Sequence, residues 1–94
     1  VFDGGAGTDT ADYSASAKAI AVTLNGAIDA RVFIGNAAED TLRNVESITG
    51  SALADVITGD ALANSLLGGG GADLLKGGGG QDVVDGGSGS DTID

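Results

Sequence analysis

The C-terminal half of the chain repeats one arrangement of polar and apolar positions every nine residues. Written from Gly50, the segments are GSALADVIT, GDALANSLL, GGGGADLLK, GGGGQDVVD and GGSGSDTID, with no insertion between them. Each segment begins with glycine, has Asp or Asn at position six and has one apolar residue at position eight. The position-eight residues are Ile57, Leu66, Leu75, Val84 and Ile93. A further copy, GGAGTDTAD, occupies residues 4–12. A fixed internal period of this kind is typical of stacked repeat architectures.

Each nonapeptide predicts a six-residue turn followed by a three-residue strand. Glycine supplies the positive φ angles of tight turns, and Asp tolerates them. In the remaining x-apolar-x triplet the middle side chain points to one face and its neighbours to the other. A single repeat cannot bury its apolar residue, but strands stacked about 4.8 Å apart would join these residues into a narrow core. We therefore predict an all-β fold, a right-handed parallel β-roll in which two repeats make one coil and repeats i and i+2 share an edge.

The middle of the chain lacks the nine-residue period. The alternating segments AIAVTL (19–24) and ARVFI (30–34) predict two strands. Residues 37–44 predict one short helical turn, with Glu39 and Arg43 four positions apart. We interpret this region as longer coils that continue the same stack.

The domain organisation follows from these patterns. We predict a single β-roll over residues 1–94, with a first repeat at 1–12, irregular longer coils at 13–49 and five regular repeats at 50–94. Because the sequence begins within a repeat and ends with the pattern unbroken, we expect it to be a fragment of a longer protein.

Composition narrows the classes of partner. The 94 residues include 14 acids and four bases, for a formal charge of −10, and they include neither His nor Cys. Such a charge repels nucleic acid and anionic membranes, so we expect neither as a partner. No apolar run is long enough for a membrane span. The same charge opposes compaction unless cations are bound.

Stacked turns would bring the position-six residues together. The 18-residue spacing places Asp73 near Asp55 and Asp91, and it places Asp82 near Asn64. Bare carboxylates this close repel one another and raise one another's pKa. A divalent cation between the turns reverses that interaction, and calcium suits it best because it takes six to eight oxygen ligands in irregular geometry. The sequence therefore predicts several Ca²⁺ ions.

These segments match GGxGxDxUx, where U is a large apolar residue, and the chain resembles the RTX, or haemolysin-type calcium-binding, repeat family over residues 1–12 and 49–94. The resemblance implies calcium between turns i and i+2, held by position-six side chains and turn carbonyls. The first implied site comprises Asp73 and Asp91 with the carbonyls of Gly68, Gly70, Gly87 and Gly89. The second comprises Asn64 and Asp82 with the carbonyls of Gly59, Ala61, Gly78 and Gly80. The third comprises Asp55 and Asp73 with the carbonyls of Gly50, Gly69 and Gly71. Asp9 is implied in an N-terminal site whose partner turn the sequence does not identify.

Two turns depart from the family pattern. GSALAD and GDALAN lack glycine at position four, and Asn64 carries no charge. Sites that use these turns are expected to be weaker.

The resemblance implies a calcium-binding structural module of a secreted bacterial protein, exported by a type I system and folding on Ca²⁺ outside the cell, where it supports a passenger domain. We expect no active site, because the acidic residues recur once per turn as a scaffold would place them. Neither GGGG segment continues as the P-loop motif GxxxxGK[ST]. Two alternatives remain: a polysaccharide-binding roll of the kind attached to alginate-modifying enzymes, and an adhesin spacer.

Four apolar residues flank the inward positions and should face outward. They are Val56, Leu67, Leu74 and Val83. Singly exposed apolar residues are normal, but a cluster of them is also typical of a face on which a neighbouring domain of the same protein docks. The sequence leaves both interpretations open.

Overall fold

Short strands separated by turns make up the molecule. The structure, a computed structural model, describes residues 2–94, and in that range it has eleven strands and no helix. The strands before the regular repeats are β1 (Phe2–Asp3), β2 (Thr10–Asp12), β3 (Ile20–Thr23), β4 (Ala30–Ile34) and β5 (Ala37–Arg43). The strands of the repeats are β6 (Ser47–Thr49), β7 (Val56–Thr58), β8 (Ser65–Leu67), β9 (Leu74–Lys76), β10 (Val83–Asp85) and β11 (Thr92–Ile93). The first residue of the predicted repeat at 1–12 lies outside the described residues.

The described strands form two sheets. The first sheet has the order β1-β5-β4-β3-β7-β9-β11, and the second has the order β10-β8-β6-β2. Successive strands from β6 to β11 alternate between the two sheets, so each of them pairs in parallel with a strand 18 residues away. Ile57 lies opposite Leu75 in the first sheet, and Leu66 lies opposite Ile48 and Val84 in the second. The predicted all-β parallel roll with two repeats per coil is confirmed.

The core is the row of position-eight side chains between the two sheets. Ile48 and Leu66 from the second sheet and Ile57 and Leu75 from the first are each at most 1% exposed. Towards the C-terminus the row opens, and Ile93 is 54% exposed. Towards the N-terminus the core widens through further buried residues, which include Ile20, Val22, Leu24, Val32, Leu42 and Val45.

The middle segment joins the first sheet as antiparallel hairpins. β3 pairs in parallel with β7, whereas β4 pairs antiparallel with both β3 and β5. The strands predicted at 19–24 and 30–34 are confirmed. β3, β4 and β5 all belong to the first sheet and are joined there by antiparallel pairing. The reason is local: β3 and β4 are joined by a short loop, and such loops favour antiparallel pairing, whereas parallel neighbours need a longer crossover.

The helical turn predicted at 37–44 is wrong, because residues 37–43 form β5. An i,i+4 pair such as Glu39 and Arg43 stabilises a helix by only about 0.2–0.5 kcal/mol. β5 instead satisfies its backbone by pairing with β4 on one side and β1 on the other. Arg43 contacts Asp3 at 3.1 Å and Asp29 at 3.5 Å. No helix long and apolar enough to cross a membrane occurs within residues 2–94.

The outward apolar residues are divided between the two sheets. Val56 and Leu74 lie side by side on the first sheet, whereas Leu67 and Val83 belong to strands of the second. Val56, Leu67 and Val83 are exposed, as predicted, and Leu74 is half-buried. The four residues therefore do not form one cluster.

Candidate metal centres

The position-six residues stack along both edges of the roll. The backbone N–H of Asp55 donates to Asp73 Oδ1 at 2.8 Å, and that of Asp73 donates to Asp91 Oδ1 at 2.9 Å. On the other edge the N–H of Asn64 donates to Asp82 Oδ1 at 2.9 Å. The predicted approach of these residues across an 18-residue spacing is confirmed. One oxygen of each lower carboxylate thus binds the turn above and leaves Oδ2 for another partner.

In Asp73 this second oxygen, Oδ2, has no hydrogen-bond partner. The Asp73 side chain is 2% exposed, and Oδ2 is buried. The position that a Cβ on Gly68 would take touches Asp73 Oδ2 and lies 2.8 Å from the carbonyl oxygen of Gly86. Two oxygen acceptors therefore approach one glycine, and Oδ2 has no donor. A buried acceptor in this state costs free energy, and a hard cation with oxygen ligands removes that cost.

Electrostatics agree with this geometry. Burial raises the pKa of Asp73, and the neighbouring carboxylates of Asp55 and Asp91 raise it further against the lowering effect of the Asp55 N–H. A bound cation reverses the sign of these effects.

The turn around Asp73 has a backbone that only glycine adopts readily. Gly69 and Gly71, at positions two and four, have φ angles of 87° and 83°. Positions two and four have positive φ in four turns, which we call the glycine turns: residues 4–9, 68–73, 77–82 and 86–91. A Cβ on Gly71 would lie 2.6 Å from the backbone carbon of Leu53 in the turn above. Positive φ and close stacking together explain why the sequence uses so many glycines here.

A comparison with models of protein families identifies the repeats that form these turns. Residues 58–93 match the model of the RTX calcium-binding nonapeptide repeat in four copies. Over residues 58–93 the chain is therefore similar to the RTX calcium-binding repeat family. RTX repeats bind calcium and are typical of secreted bacterial proteins. A search of curated proteins found no match.

Side chains alone do not complete an RTX site in this chain. Among residues 2–94 no three acidic side chains converge into a metal-binding group. Calcium takes six to eight oxygens, so an ion between these turns would need backbone carbonyls and water as further ligands.

The structure shows which carbonyls approach a position-six side chain. The carbonyl of Gly68 lies beside Asp55, since a Cβ on Gly50 would be 2.6 Å from Gly68 O and 2.5 Å from Asp55 Oδ2. The carbonyls of Gly77 and Gly86 take the equivalent places beside Asn64 and Asp73. The carbonyls of Gly77 and Gly86 were missed in the sequence, although glycine at position one of every repeat was the signal.

The other predicted carbonyl ligands lie in the same stacked turns. Gly69 O accepts the N–H of Ser88 at 3.0 Å, which leaves it one further lone pair. The remaining assignments stay predictions; they concern Gly50, Gly59, Ala61, Gly70, Gly71, Gly78, Gly80, Gly87 and Gly89.

In two other turns, hydrogen-bond donors of the protein reach the side-chain oxygens of the position-six residue. We call these turns, residues 50–55 and 59–64, the polar turns. Asp55 is 1% exposed, and its Oδ1 accepts the N–H of Ile20 at 2.8 Å and the hydroxyl of Ser51 at 2.7 Å. Its Oδ2 accepts the N–H of Ser51 at 2.7 Å. In the second polar turn Asn64 Oδ1 accepts the N–H of Asp60 at 2.9 Å, and Asn64 Nδ2 donates to the carbonyl of Glu46 at 3.2 Å. In the polar turns, therefore, hydrogen-bond donors occupy the side-chain oxygens.

Asp9 resembles Asp73 more than Asp55. Its Oδ2 is also a buried atom without a hydrogen-bond partner, and it lies in the N-terminal glycine turn. Its backbone N–H donates to Glu46 Oε1 at 2.9 Å, and the carbonyl of Asn44 abuts Gly4. The partner turn that the sequence did not identify is therefore residues 44–46.

Glu46 was missed because it is not an aspartate. It stands nine residues before Asp55, so it occupies position six, and its side chain accepts the N–H of the position-six residue above it as Asp73 does. Its place in the nine-residue period was the signal that could have identified it.

Proposed function

We propose that this chain is a structural calcium-binding module of a secreted protein and that calcium completes its fold outside the cell. The observation that carries the proposal is the unpartnered, buried Asp73 Oδ2 beside the carbonyl of Gly86. Calcium is the physiological cation that combines a high number of oxygen ligands with tolerance of irregular geometry.

Linkage supplies the mechanism. An ion that binds only the folded form stabilises it by about 2.7 kcal/mol per site at 100 times its Kd. Extracellular calcium modules have Kd values of about 10⁻⁴–10⁻³ M. Sites of this strength are empty where calcium is scarce and filled outside the cell. Folding after type I export then holds the chain outside and supports the passenger.

We also propose that the module has no catalytic role. Its position-six carboxylates recur once per turn, and Asp55, Asp73, Asp82 and Asp91 each accept a hydrogen bond from a backbone N–H. Such carboxylates are held by the scaffold and are not presented to a substrate.

Circular dichroism during a calcium titration tests the proposal. After chelation with EDTA, addition of calcium should increase the strand signal cooperatively, and magnesium should substitute poorly because it demands near-octahedral geometry. Asp73→Asn should shift the transition to higher calcium. Glu39→Gln is the control, since it removes one charge from an exposed side chain of β5, outside the repeats. An unchanged spectrum between EDTA and millimolar calcium would refute the proposal.

Binding of an anionic polysaccharide is a second candidate, favoured by one observation. Lys76 lies opposite Thr58, and Thr58 lies opposite Thr23, on the outer face of the first sheet. Arg31, on neighbouring β4, is exposed and shares this sheet. Three of the four basic residues, Arg31, Arg43 and Lys76, thus belong to strands of one sheet of a strongly acidic chain. Titration with an acidic oligosaccharide should then shift these residues in NMR spectra and lose its effect in Arg31→Ala/Lys76→Ala. Equal binding by that double variant would exclude this face.

A further inference from the structure

We propose that residues 19–67 fold without calcium and form the template on which the glycine turns at both ends of the chain fold when calcium binds. This inference rests on the proposed calcium-dependent folding, and it adds that only part of the chain depends on the ion.

The first argument is the satisfied carboxylate of Asp55. Three donors within 2.8 Å hold its two oxygens: the Ile20 N–H, the Ser51 N–H and the Ser51 hydroxyl. Hydrogen bonds to a buried charged group are among the stronger ones in proteins. This turn therefore closes with its own donors, and it also ties the repeats to β3, which begins at Ile20.

The second argument is that the other polar turn contains no charge at position six. Asn64 is 3% exposed, and both ends of its amide are bonded, to Asp60 N–H and to the Glu46 carbonyl. A neutral amide with both partners needs no counter-ion. The two polar turns, one on each edge of the roll, thus close one complete coil without metal.

The third argument is the distribution of the core. Within residues 19–67 the antiparallel hairpins β3–β4 and β4–β5 pack Val22, Val32 and Leu42 against Ile57 and its neighbours in the same row. Hairpins bring together residues that are close in sequence, and such contacts form at low entropic cost. This part of the chain has a core wider than one row.

The flanking segments lack these features. Residues 68–94 contain one fully buried position-eight residue, Leu75, whereas Val84 is half-buried and Ile93 is 54% exposed. The segment is also shorter than the roughly 40 residues below which folded units usually need a metal, a disulfide or association. Among residues 2–94, the buried side-chain oxygens without a partner belong to Asp9 and Asp73, and each lies in a glycine turn outside residues 19–67.

The template offers the edges on which the remaining strands assemble. The carbonyl of Asp55 accepts the N–H of Leu74 at 2.9 Å, and the carbonyl of Asn64 accepts the N–H of Val83 at 2.9 Å. These bonds join each polar turn to the first strand that follows a glycine turn on its edge. Once residues 19–67 are folded, these bonds define the register in which β9 and β10 pair with the template. Calcium then has only to order the turns that precede those strands.

Hydrogen exchange of the whole chain, measured by mass spectrometry in EDTA and in calcium, tests the proposal. In EDTA, peptides from β3, β4 and β7 should be protected, whereas peptides from residues 68–94 should exchange at the rate of unfolded chain. In calcium both should be protected. Uniform loss of protection in EDTA that calcium restores everywhere would overturn this inference and leave the proposed function intact. Uniform protection in EDTA, unaltered by calcium, would overturn both.

Two variants sharpen the test. Ser51→Ala removes the hydroxyl donor to Asp55 and should reduce protection of β3 and β7 in EDTA by about tenfold, from the typical strength of a hydrogen bond to a charged group. Ser90→Ala is the matched control, since Ser90 is an exposed serine in a glycine turn, and it should leave protection of β3 and β7 unchanged.

The second variant, Ser51→Gly/Leu53→Gly, converts the first polar turn into the glycine pattern. It should make protection of residues 50–58 depend on calcium, with recovery at millimolar concentrations. The inference fails if Ser51→Ala matches Ser90→Ala, or if the converted turn stays protected in EDTA.

Discussion

The polar turns and the glycine turns occupy the same places in the same stack, yet they treat the position-six side chain in opposite ways. Asp55 and Asp73 lie one above the other and are 1% and 2% exposed. Asp55 has three hydrogen-bond donors, whereas Asp73 Oδ2 has none. The difference shows that an aspartate at position six does not by itself make a calcium site.

The residues at positions two and four decide the outcome. Ser51 and Leu53 do not have positive φ, and the Ser51 N–H then points at Asp55. Gly69 and Gly71 do have positive φ, and no donor reaches Asp73 Oδ2. The glycines therefore allow the turn and also leave Asp73 Oδ2 without a backbone donor. Under the proposed function, the calcium ion replaces that donor.

The largest expected effect concerns the core. Core residues that follow a polar turn and a glycine turn should contribute equally to stability. Ile57 follows a polar turn and Leu75 follows a glycine turn, and both are 0% exposed. Ile57→Ala and Leu75→Ala should each lower the free energy of unfolding in saturating calcium by about 2–5 kcal/mol. Urea denaturation measures both. A difference of several kcal/mol between them would mean that the core, and not the turns, separates the two regions.

Position four should respond differently in the two kinds of turn. Gly71→Ala places a Cβ 2.6 Å from the backbone of Leu53 at a φ of 83°, and strain of this kind costs about 1–3 kcal/mol. Leu53→Ala, at the same position of the polar turn, changes a side chain that is 43% exposed and should cost within about 0.5 kcal/mol, as surface substitutions usually do. Thermal melts in calcium compare them. Equal costs would contradict the conclusion that position four of a glycine turn needs glycine for its backbone conformation.

Neutralising position six should affect calcium binding in one turn and metal-free stability in the other. Asp73→Asn should weaken calcium binding at least about tenfold, because ligand charge tunes the affinity of such sites. Asp55→Asn should mainly destabilise the chain in EDTA, since its amide cannot accept all three donors. Isothermal titration calorimetry and melts in EDTA separate these outcomes, and the reverse pattern would contradict the comparison.

Acid should produce the smallest effect, and only without calcium. Burial raises the pKa of Asp73 above its ordinary value of 3.8. A raised folded-state pKa stabilises the fold fully below pH 3.8 and loses that contribution as pH rises through the folded value. In EDTA, acidification should therefore favour folding of the segment that contains Asp73, residues 68–94. Asp3 opposes it, because hydrogen bonds from Asn44 and Gly5 and the Arg43 side chain lower its pKa. Melts of Asp73→Asn should lack the Asp73 contribution, and identical pH profiles would argue against it.

Much of the fold could be predicted from the period alone. The nine-residue spacing predicted one inward row, in which Ile57, Leu66 and Leu75 are each at most 1% exposed, although Ile93 at its end is 54% exposed. The 18-residue spacing identified the stacked position-six residues, because a period of two repeats per coil leaves few other arrangements. The hairpins of residues 20–43 carry no such period, and the alternation within β5 was too weak to exclude a helix.

The candidate sites were predictable in their side chains and less so in their partners. Glu46 could have been found by keeping the register, whereas the approach of Asn44 to Gly4 depends on how β5 and β1 pair. The donors to Asp55 come from Ile20 and Ser51, and Ile20 is 35 residues away in the sequence.

The sequence by itself determined the coil length, the inward row and the acidic stack, because each of these follows from a spacing that repeats. Only the tertiary structure decided which carboxylates keep a free oxygen. That choice depends on φ angles at two turn positions and on backbone donors from distant strands, and a repeating pattern of side chains does not specify where those donors point.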